Sequence, residues 1–169
     1  MSPYSVYLLK LFPVNNESRE LYTTHFGGES KKYENNENAG IDLLLAETER
    51  YTDESKIRLM KLGVRAVLVN TFTNDTVHFW LAPRSSIWKT GVVLANSMGV
   101  IDRTYRGELM AACMNYTTNN ELFLQKGTRI VQVVAPDMGH IVEVRICNDN
   151  DLDATLRGEG GFGSTGGIV

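Results

Sequence analysis

Short runs of hydrophobic residues recur along the chain, and turn-forming residues separate each run from the next. Two of the runs, VLVNTF and RIVQVV, are rich in β-branched side chains, which strands favour. Many short runs without an intervening helical period predict an all-β sandwich or barrel. The predicted strands are Tyr4–Phe12, Ile41–Ala46, Val64–Phe72, Val77–Leu81, Val92–Asn96, Glu108–Asn115, Glu121–Leu124, Thr128–Ala135 and Ile141–Ile146.

Two stretches interrupt this pattern. Residues 15–38 are polar and rich in turn formers, so they predict a surface excursion that is partly disordered. The stretch RSSIWKTG predicts a short helix, the only clear one in the chain. Ser85 or Ser86 is a suitable N-cap for it, and Gly91 suits the position after its last turn.

Composition narrows the class of protein. A chain of 169 residues with 43% hydrophobic and 22% charged residues is typical of one soluble globular domain. A net charge of −3 argues against a general nucleic-acid or membrane-surface binder, so we expect neither partner. We find no signal-peptide pattern and no apolar run of membrane-spanning length. Cys113 and Cys147 suit free thiols, and we expect an intracellular, soluble protein of the cytoplasm or nucleus.

The stretch APRSSIWKTG has the composition of an anion site. The first amides of a helix lack intrahelical partners and carry partial positive charge. Together with Arg84 and the two serine hydroxyls they would bind a phosphate. An ordinary capped turn with a surface arginine explains the same residues, so the alternative stays open.

The stretch GVIDRTYRGEL predicts a β-hairpin with its tip near Arg103 and Thr104. Asp102 follows two apolar residues, and a partly desolvated carboxylate of this kind suits a general base. An aspartate that only closes a turn is the alternative. Tyr105 offers its ring to a base or sugar, or packs in the core.

Three shorter stretches carry weaker signals. AGIDL places Asp42 just inside a strand, where a metal-facing or a structural carboxylate is found, and KGTRIVQ places Arg129 and Gln132 on an otherwise apolar strand. The ending RGEGGFGSTGG resembles a phosphate cradle but lacks the Lys-Ser/Thr of a P-loop. The three histidines are isolated and show no zinc-ligand spacing.

These five stretches, in this order from residue 39 to 166, resemble the five motifs of the trimeric deoxyuridine triphosphatase (dUTPase) family, whereas residues 1–38 match only loosely. The resemblance implies a jelly-roll-like β subunit in a homotrimer with shared active sites. Motifs one, two and four would come from one subunit, motif three from a second and motif five from a third. It also implies Mg²⁺-dependent hydrolysis of dUTP to dUMP and pyrophosphate, which keeps uracil out of DNA and supplies dUMP for thymidylate synthesis.

The family's site residues carry over by position. The resemblance implies that Asp102 deprotonates the water that attacks the α-phosphorus, and that Asp42 touches Mg²⁺ through a coordinated water. It further implies a substrate site made of Arg84, Ser85, Ser86 and Gln132 at the phosphates, of Asn96, Gly99, Val100, Ile101 and Tyr105 at the uracil and deoxyribose, and of Arg157, Phe162, Gly163, Ser164 and Thr165 from the tail.

The glycine-rich tail is costly to order, because glycine loses more backbone freedom on folding than other residues. We therefore expect a β domain over residues 1–156 and a mobile lid over residues 157–169 that closes when a triphosphate supplies contacts. Two other functions stay open. A deoxycytidine triphosphate deaminase shares this fold but needs a glutamate where Ala112 stands. A dUTPase-fold protein with an added partner-binding role would use residues 15–38.

Overall fold

The computed structural model describes residues 5–34, 38–52, 56–118 and 121–161, and strands dominate them. One α-helix, α1, covers Asn16–Phe26, and two short 3-10 helices cover Ile87–Thr90 and Asp149–Asp151. The strands are β1 (Val6–Pro13), β2 (Ser30–Lys32), β3 (Gly40–Leu44), β4 (Glu49–Arg50), β5 (Ile57–Lys61), β6 (Val64–Asn70), β7 (Thr76–Val77), β8 (Phe79–Pro83), β9 (Val92–Leu94), β10 (Gly99–Ile101), β11 (Met110–Asn115), β12 (Phe123–Leu124), β13 (Arg129–Val134) and β14 (His140–Ile146).

The strands form four sheets whose neighbours are mostly distant in sequence. The largest has the order β2-β14-β1-β6-β7, the second β10-β8-β13-β3, the third β5-β11-β9, and β12 pairs with β4. The β1–β14 pair is parallel, and the other pairs are antiparallel. This crossed order is that of a jelly-roll-like β fold, as predicted.

One hydrophobic core lies between the sheets. Strand β1 alternates between buried and partly exposed side chains, as expected for a strand with one face on the core. Fully buried side chains come from the three larger sheets, among them Leu9, Leu43, Met60, Leu68, Ala111 and Val133. No helix among the described residues is long and apolar enough to cross a membrane.

The prediction for residues 15–38 is wrong over its first half, because Asn16–Phe26 form the α-helix. The Asn15 side chain caps it by accepting from the Ser18 N–H at 2.8 Å, and Gly27 ends it in the left-handed region at φ 74°. Tyr22 is completely buried, so the helix belongs to the core. The sequence analysis overlooked that Tyr22 and Phe26 are one helical turn apart.

The helix predicted after APRSS is a 3-10 helix of four residues. Gly91 follows it at φ 83°, as predicted, but the Ser86 side chain makes no capping hydrogen bond. The predicted hairpin also needs correction. The segment does turn at residues 102–105, where the Tyr105 N–H donates to the Asp102 carbonyl at 2.9 Å. The strand before that turn, however, pairs with β8.

Candidate active site

The second sheet carries four of the five motif stretches. Its outer strands are β10, which leads into Asp102, and β3, which contains Asp42. Between them, β8 leads into Arg84, and β13 contains Gln132. The sheet therefore positions the first four motifs, and their side chains line two separate cavities.

The apolar cavity, as we call it, has a volume of about 210 Å³ and lies between β10 and β11. Strand β10 is the last strand of its sheet, so its backbone supplies an edge to the cavity. The described lining residues are Leu81, Leu94, Asn96, Gly99, Val100, Ile101, Asp102, Tyr105, Leu109, Met110, Ala111, Ala112, Arg157 and Gly161. The five residues predicted at the uracil and deoxyribose meet here with Asp102, the predicted general base: Asn96, Gly99, Val100, Ile101 and Tyr105.

Asp102 lies at the mouth of the apolar cavity with its side chain 36% exposed. The Arg157 guanidinium forms an ion pair with one carboxylate oxygen. The other oxygen is 3.4 Å from Nδ1 of His78. That nitrogen accepts the N–H of Arg103 at 3.2 Å, so its lone pair is already used and it does not donate to Asp102.

Tyr105 forms part of the cavity floor. It is 9% exposed, and its hydroxyl donates to the Glu108 carbonyl at 3.0 Å. Burial, and then the charges of Glu159 and Glu108, raise the pKa of this phenol, so the ring stays neutral. A Cβ at Gly107 would overlap the ring, and one at Gly161 would touch it at 3.3 Å. The two glycines therefore leave room for the tyrosine.

The charged cavity has a volume of about 400 Å³ and lies over β3 and β13. Asp42 is at its centre and accepts from Arg84 Nε at 2.8 Å and from an Arg129 nitrogen at 3.2 Å. Its described lining residues are His25, Phe26, Tyr33, Asn38, Gly40, Ile41, Asp42, Arg84, Ser85, Arg129 and Gln132. Two guanidinium groups around one carboxylate give the cavity a net positive charge, which suits an anion.

The turn after β8 brings Ser85 into the charged cavity. The Ser86 hydroxyl instead accepts from Arg84 at 3.3 Å, which holds the guanidinium beside Asp42. The Ile87 N–H donates to the Arg84 carbonyl at 3.0 Å, so this first helical amide is not available to an anion as the sequence analysis assumed.

The Gln132 side chain packs against Gly40, where a Cβ would overlap the Gln132 amide. The amide nitrogen donates to the Pro83 carbonyl at 3.2 Å, which fixes its direction. A register shift between Arg129 and Val131 interrupts the alternation of β13. Because of it, Arg129 and Gln132, three residues apart, line the same cavity.

The two cavities lie toward opposite edges of one sheet, the apolar cavity at β10 and the charged cavity over β13 and β3. Asp42, Gln132 and Ala82 are paired across three strands and share the outer, partly exposed face. Leu81, one residue before Ala82, faces the core and lines the apolar cavity. His78, beside Asp102, and Arg84 lie at opposite ends of β8, about 20 Å apart at roughly 3.3 Å per residue. Within one chain, Asp102 is therefore far from the predicted phosphate site.

Asp42 fits a metal held through water. The described residues contain no group of three or more His, Cys, Asp or Glu side chains able to hold a metal ion directly. Both Asp42 oxygens accept from arginines, and each keeps a further lone pair for a coordinated water. Mg²⁺ retains several waters and takes its direct ligands from phosphate oxygens.

The charged cavity includes four polar side chains that were not assigned to a site from the sequence, those of His25, Tyr33, Asn38 and Arg129. Arg129 was noted on its strand but not assigned to a site, because the bulge that turns it is invisible in the sequence. His25, Tyr33 and Asn38 fall in the stretch interpreted as a surface excursion. The helical spacing of Tyr22 and Phe26 is a signal for the helix that carries His25, and it does not extend to Tyr33 or Asn38. Phe162, Gly163, Ser164 and Thr165, predicted at the substrate, lie outside the described residues.

Known proteins resemble this chain over most of its length. A dUTPase family model matches residues 28–166. Deoxyuridine 5′-triphosphate nucleotidohydrolases of Rickettsia akari and Rickettsia felis are each 33% identical over 144 residues, which are 84% of this chain and 91% of theirs. Among solved structures, a mutant dUTPase of Staphylococcus bacteriophage 80alpha with dUpNHpp is 20% identical. It covers 94% of this chain and 98% of its own, with a TM-score of 0.51, which supports the fold.

Proposed function

The chain belongs to the dUTPase family, and from this premise we propose that it hydrolyses dUTP to dUMP and pyrophosphate. The lining of the apolar cavity carries the proposal. Its edge strand and apolar walls suit a flat base, and among the described lining residues Asp102 is the one acid. Ala112 lines the same cavity at the position where a deaminase needs its glutamate. This favours hydrolysis over deamination.

Asp102 is the proposed general base. It takes a proton from a water molecule whose oxygen attacks the α-phosphorus, and pyrophosphate leaves with the bond electrons. In the structure the Arg157 guanidinium occupies one of the two Asp102 carboxylate oxygens. Triphosphate oxygens compete for the same guanidinium, so we infer that substrate draws Arg157 away and frees the base.

Arg84, Arg129, Ser85 and Gln132 are the proposed phosphate-binding set. Their side chains converge on one cavity. The two arginines can donate to phosphate oxygens in place of the Asp42 carboxylate, because both acceptors are negatively charged. Mg²⁺ carried by the triphosphate would neutralise charge on the leaving pyrophosphate, with Asp42 accepting from one of its waters.

We propose that active sites form between copies of the chain in a homotrimer. A base must lie within about 3 Å of the proton it takes, or one water further. Asp102 and the phosphate-binding set lie at opposite ends of β8 and toward opposite edges of its sheet. The charged cavity of one copy therefore needs Asp102 from a neighbour.

Residues 157–169 are the proposed lid. Their described part, residues 157–161, packs against the apolar cavity of its own chain. The Arg106 backbone N–H donates to the Gly158 carbonyl at 2.8 Å, and the Arg157 guanidinium is 5.9 Å from the Tyr105 ring centroid. Deleting residues 157–169 tests this role. We expect a folded protein with kcat lower by about 100-fold, since a charge-stabilising group is lost. A fully active truncation would exclude the lid.

A nucleotide panel tests the function itself. dUTP, dCTP, dTTP and UTP are each assayed for pyrophosphate and for ammonia. Pyrophosphate from dUTP with little from the other three is the expected result. Ammonia from dCTP would establish a deaminase instead. An intracellular location stays a prediction.

A further inference from the structure

One wall of the charged cavity comes from a part of the chain that the five motifs do not use. His25 and Phe26, in the last turn of α1, line the cavity beside Asp42, Arg84 and Gln132. The family match begins at residue 28, so α1 lies before it. The role of this helix is therefore not given by the five motifs that carry the family resemblance.

Core contacts fix the position of this wall. The buried Tyr22 hydroxyl donates to the Leu62 carbonyl at 2.8 Å and accepts from the Leu44 N–H at 3.0 Å. Arg19 reaches across to the Cys147 carbonyl at 2.7 Å. Phe26 is 7% exposed and packs in the core. These contacts fix the position of the helix from which the His25 side chain projects.

His25 is the polar group that this wall presents. Its ring stands edge-on to Phe26, with centroids 4.7 Å apart. Burial and the Arg129 guanidinium lower the pKa of His25, and Asp42 raises it, so the imidazole lies within electrostatic range of both groups. The backbone at a helix C-terminus carries partial negative charge. The imidazole, and not the helix end, is therefore the group suited to an anion.

We propose that His25 is an additional substrate-binding residue, whose ring N–H donates to the terminal phosphates of the nucleoside triphosphate in the charged cavity. An imidazole keeps at least one N–H in either protonation state, so donation needs no titration. Asp42, which we assign to a water of the Mg²⁺ on the leaving pyrophosphate, lies within electrostatic range of His25, so His25 is assigned to the terminal phosphates. The inference rests on the proposed function.

Titration calorimetry with dUpNHpp and with dUMP tests the inference on the full-length protein. In His25→Ala we expect dUpNHpp to bind about tenfold more weakly, the loss of one hydrogen bond to a charged group, with dUMP unchanged. The KM for dUTP rises by a similar factor, while kcat stays within about twofold of the unaltered enzyme. His25→Gln, which keeps a donor, recovers most of the affinity.

His140→Ala is the matched control, because His140 begins β14 and does not line either cavity. We expect it to bind both ligands normally. Unchanged dUpNHpp affinity in His25→Ala, or an equal loss for dUMP, overturns the inference. If the unaltered protein binds dUpNHpp but does not hydrolyse dUTP, the proposed activity fails while the binding comparison still decides the role of His25.

Discussion

The apolar and charged cavities of one chain recognise their ligands by different means. The apolar cavity uses the edge of β10, the Tyr105 ring and small side chains such as Ala112. Its selectivity therefore depends on shape and on backbone position. The charged cavity uses long side chains joined through Asp42. Its binding depends on charge, which tolerates more change in shape. Hydrolysis requires the general base of the apolar cavity and the phosphate-binding residues of the charged cavity. A catalytic site is therefore complete only where these two cavities meet.

The largest expected effect is at the mouth of the apolar cavity. Asp102→Asn keeps the size of the side chain but removes the proton acceptor, so kcat should fall by about 100- to 10,000-fold. The dissociation constant of dUpNHpp should stay within a few-fold, because the charged cavity is intact. Pyrophosphate release and calorimetry measure the two quantities. Near-normal turnover would remove Asp102 from its role.

The charged cavity should respond in binding. Arg84→Ala removes one of the two guanidinium groups beside Asp42, and the KM for dUTP should rise by about 10- to 100-fold. Arg84→Lys keeps the charge but loses the fork that contacts Asp42 and Ser86 together, so it should recover only part of the loss. Steady-state kinetics check both variants. An Arg84→Ala enzyme with an unaltered KM would contradict the assignment of this cavity to the phosphates.

A smaller effect is expected on sugar selectivity. Tyr105→Ala opens the floor of the apolar cavity, and the preference for dUTP over UTP should fall by about tenfold. Tyr105→Phe is the control, since the hydroxyl donates to the Glu108 carbonyl and not into the cavity. The ratio of kcat/KM for the two nucleotides is the measurement. Unchanged selectivity in Tyr105→Ala would assign the sugar check elsewhere.

The smallest effect on turnover is expected from the buried support of α1. Tyr22→Phe leaves the Leu62 carbonyl and the Leu44 N–H without their partner, which should lower the free energy of unfolding by about 1–3 kcal/mol. Urea unfolding measures that loss, and kcat should hardly change. A stable variant with impaired dUTP binding would mean that the hydroxyl acts on the site directly.

Many residues of this site could be predicted from the sequence, because each motif is a short stretch of neighbouring residues. The strand-ending positions of Asp102 and Arg84 were predicted from neighbouring residues, and the structure places them at strand ends. The helix predicted after APRSS is only a 3-10 turn of four residues, and phosphate binding by the amides at its start stays a prediction. Strand β5 was not predicted; its apolar residues Ile57 and Leu59 lie on the exposed face, and Met60 is buried.

Contacts between distant parts of the chain could not be predicted. Nothing near Asp42 in the sequence indicates that Arg84 and Arg129 will meet its carboxylate, because strand order decides it. The division into two cavities has the same origin. It depends on the strand order that places β10 at one edge of the sheet and β3 at the other.

Mixing two inactive variants tests the sharing of sites between copies most directly. Asp102→Asn damages the apolar cavity and Arg84→Ala the charged one, so each variant alone has low activity at limiting dUTP. After joint unfolding and refolding in equal amounts, random assembly should pair an intact Asp102 with an intact Arg84 in about one quarter of the sites. We therefore predict recovery of about a quarter of the unaltered activity. A mixture no more active than the mean of the two variants would contradict the account, because each site would then lie within one chain.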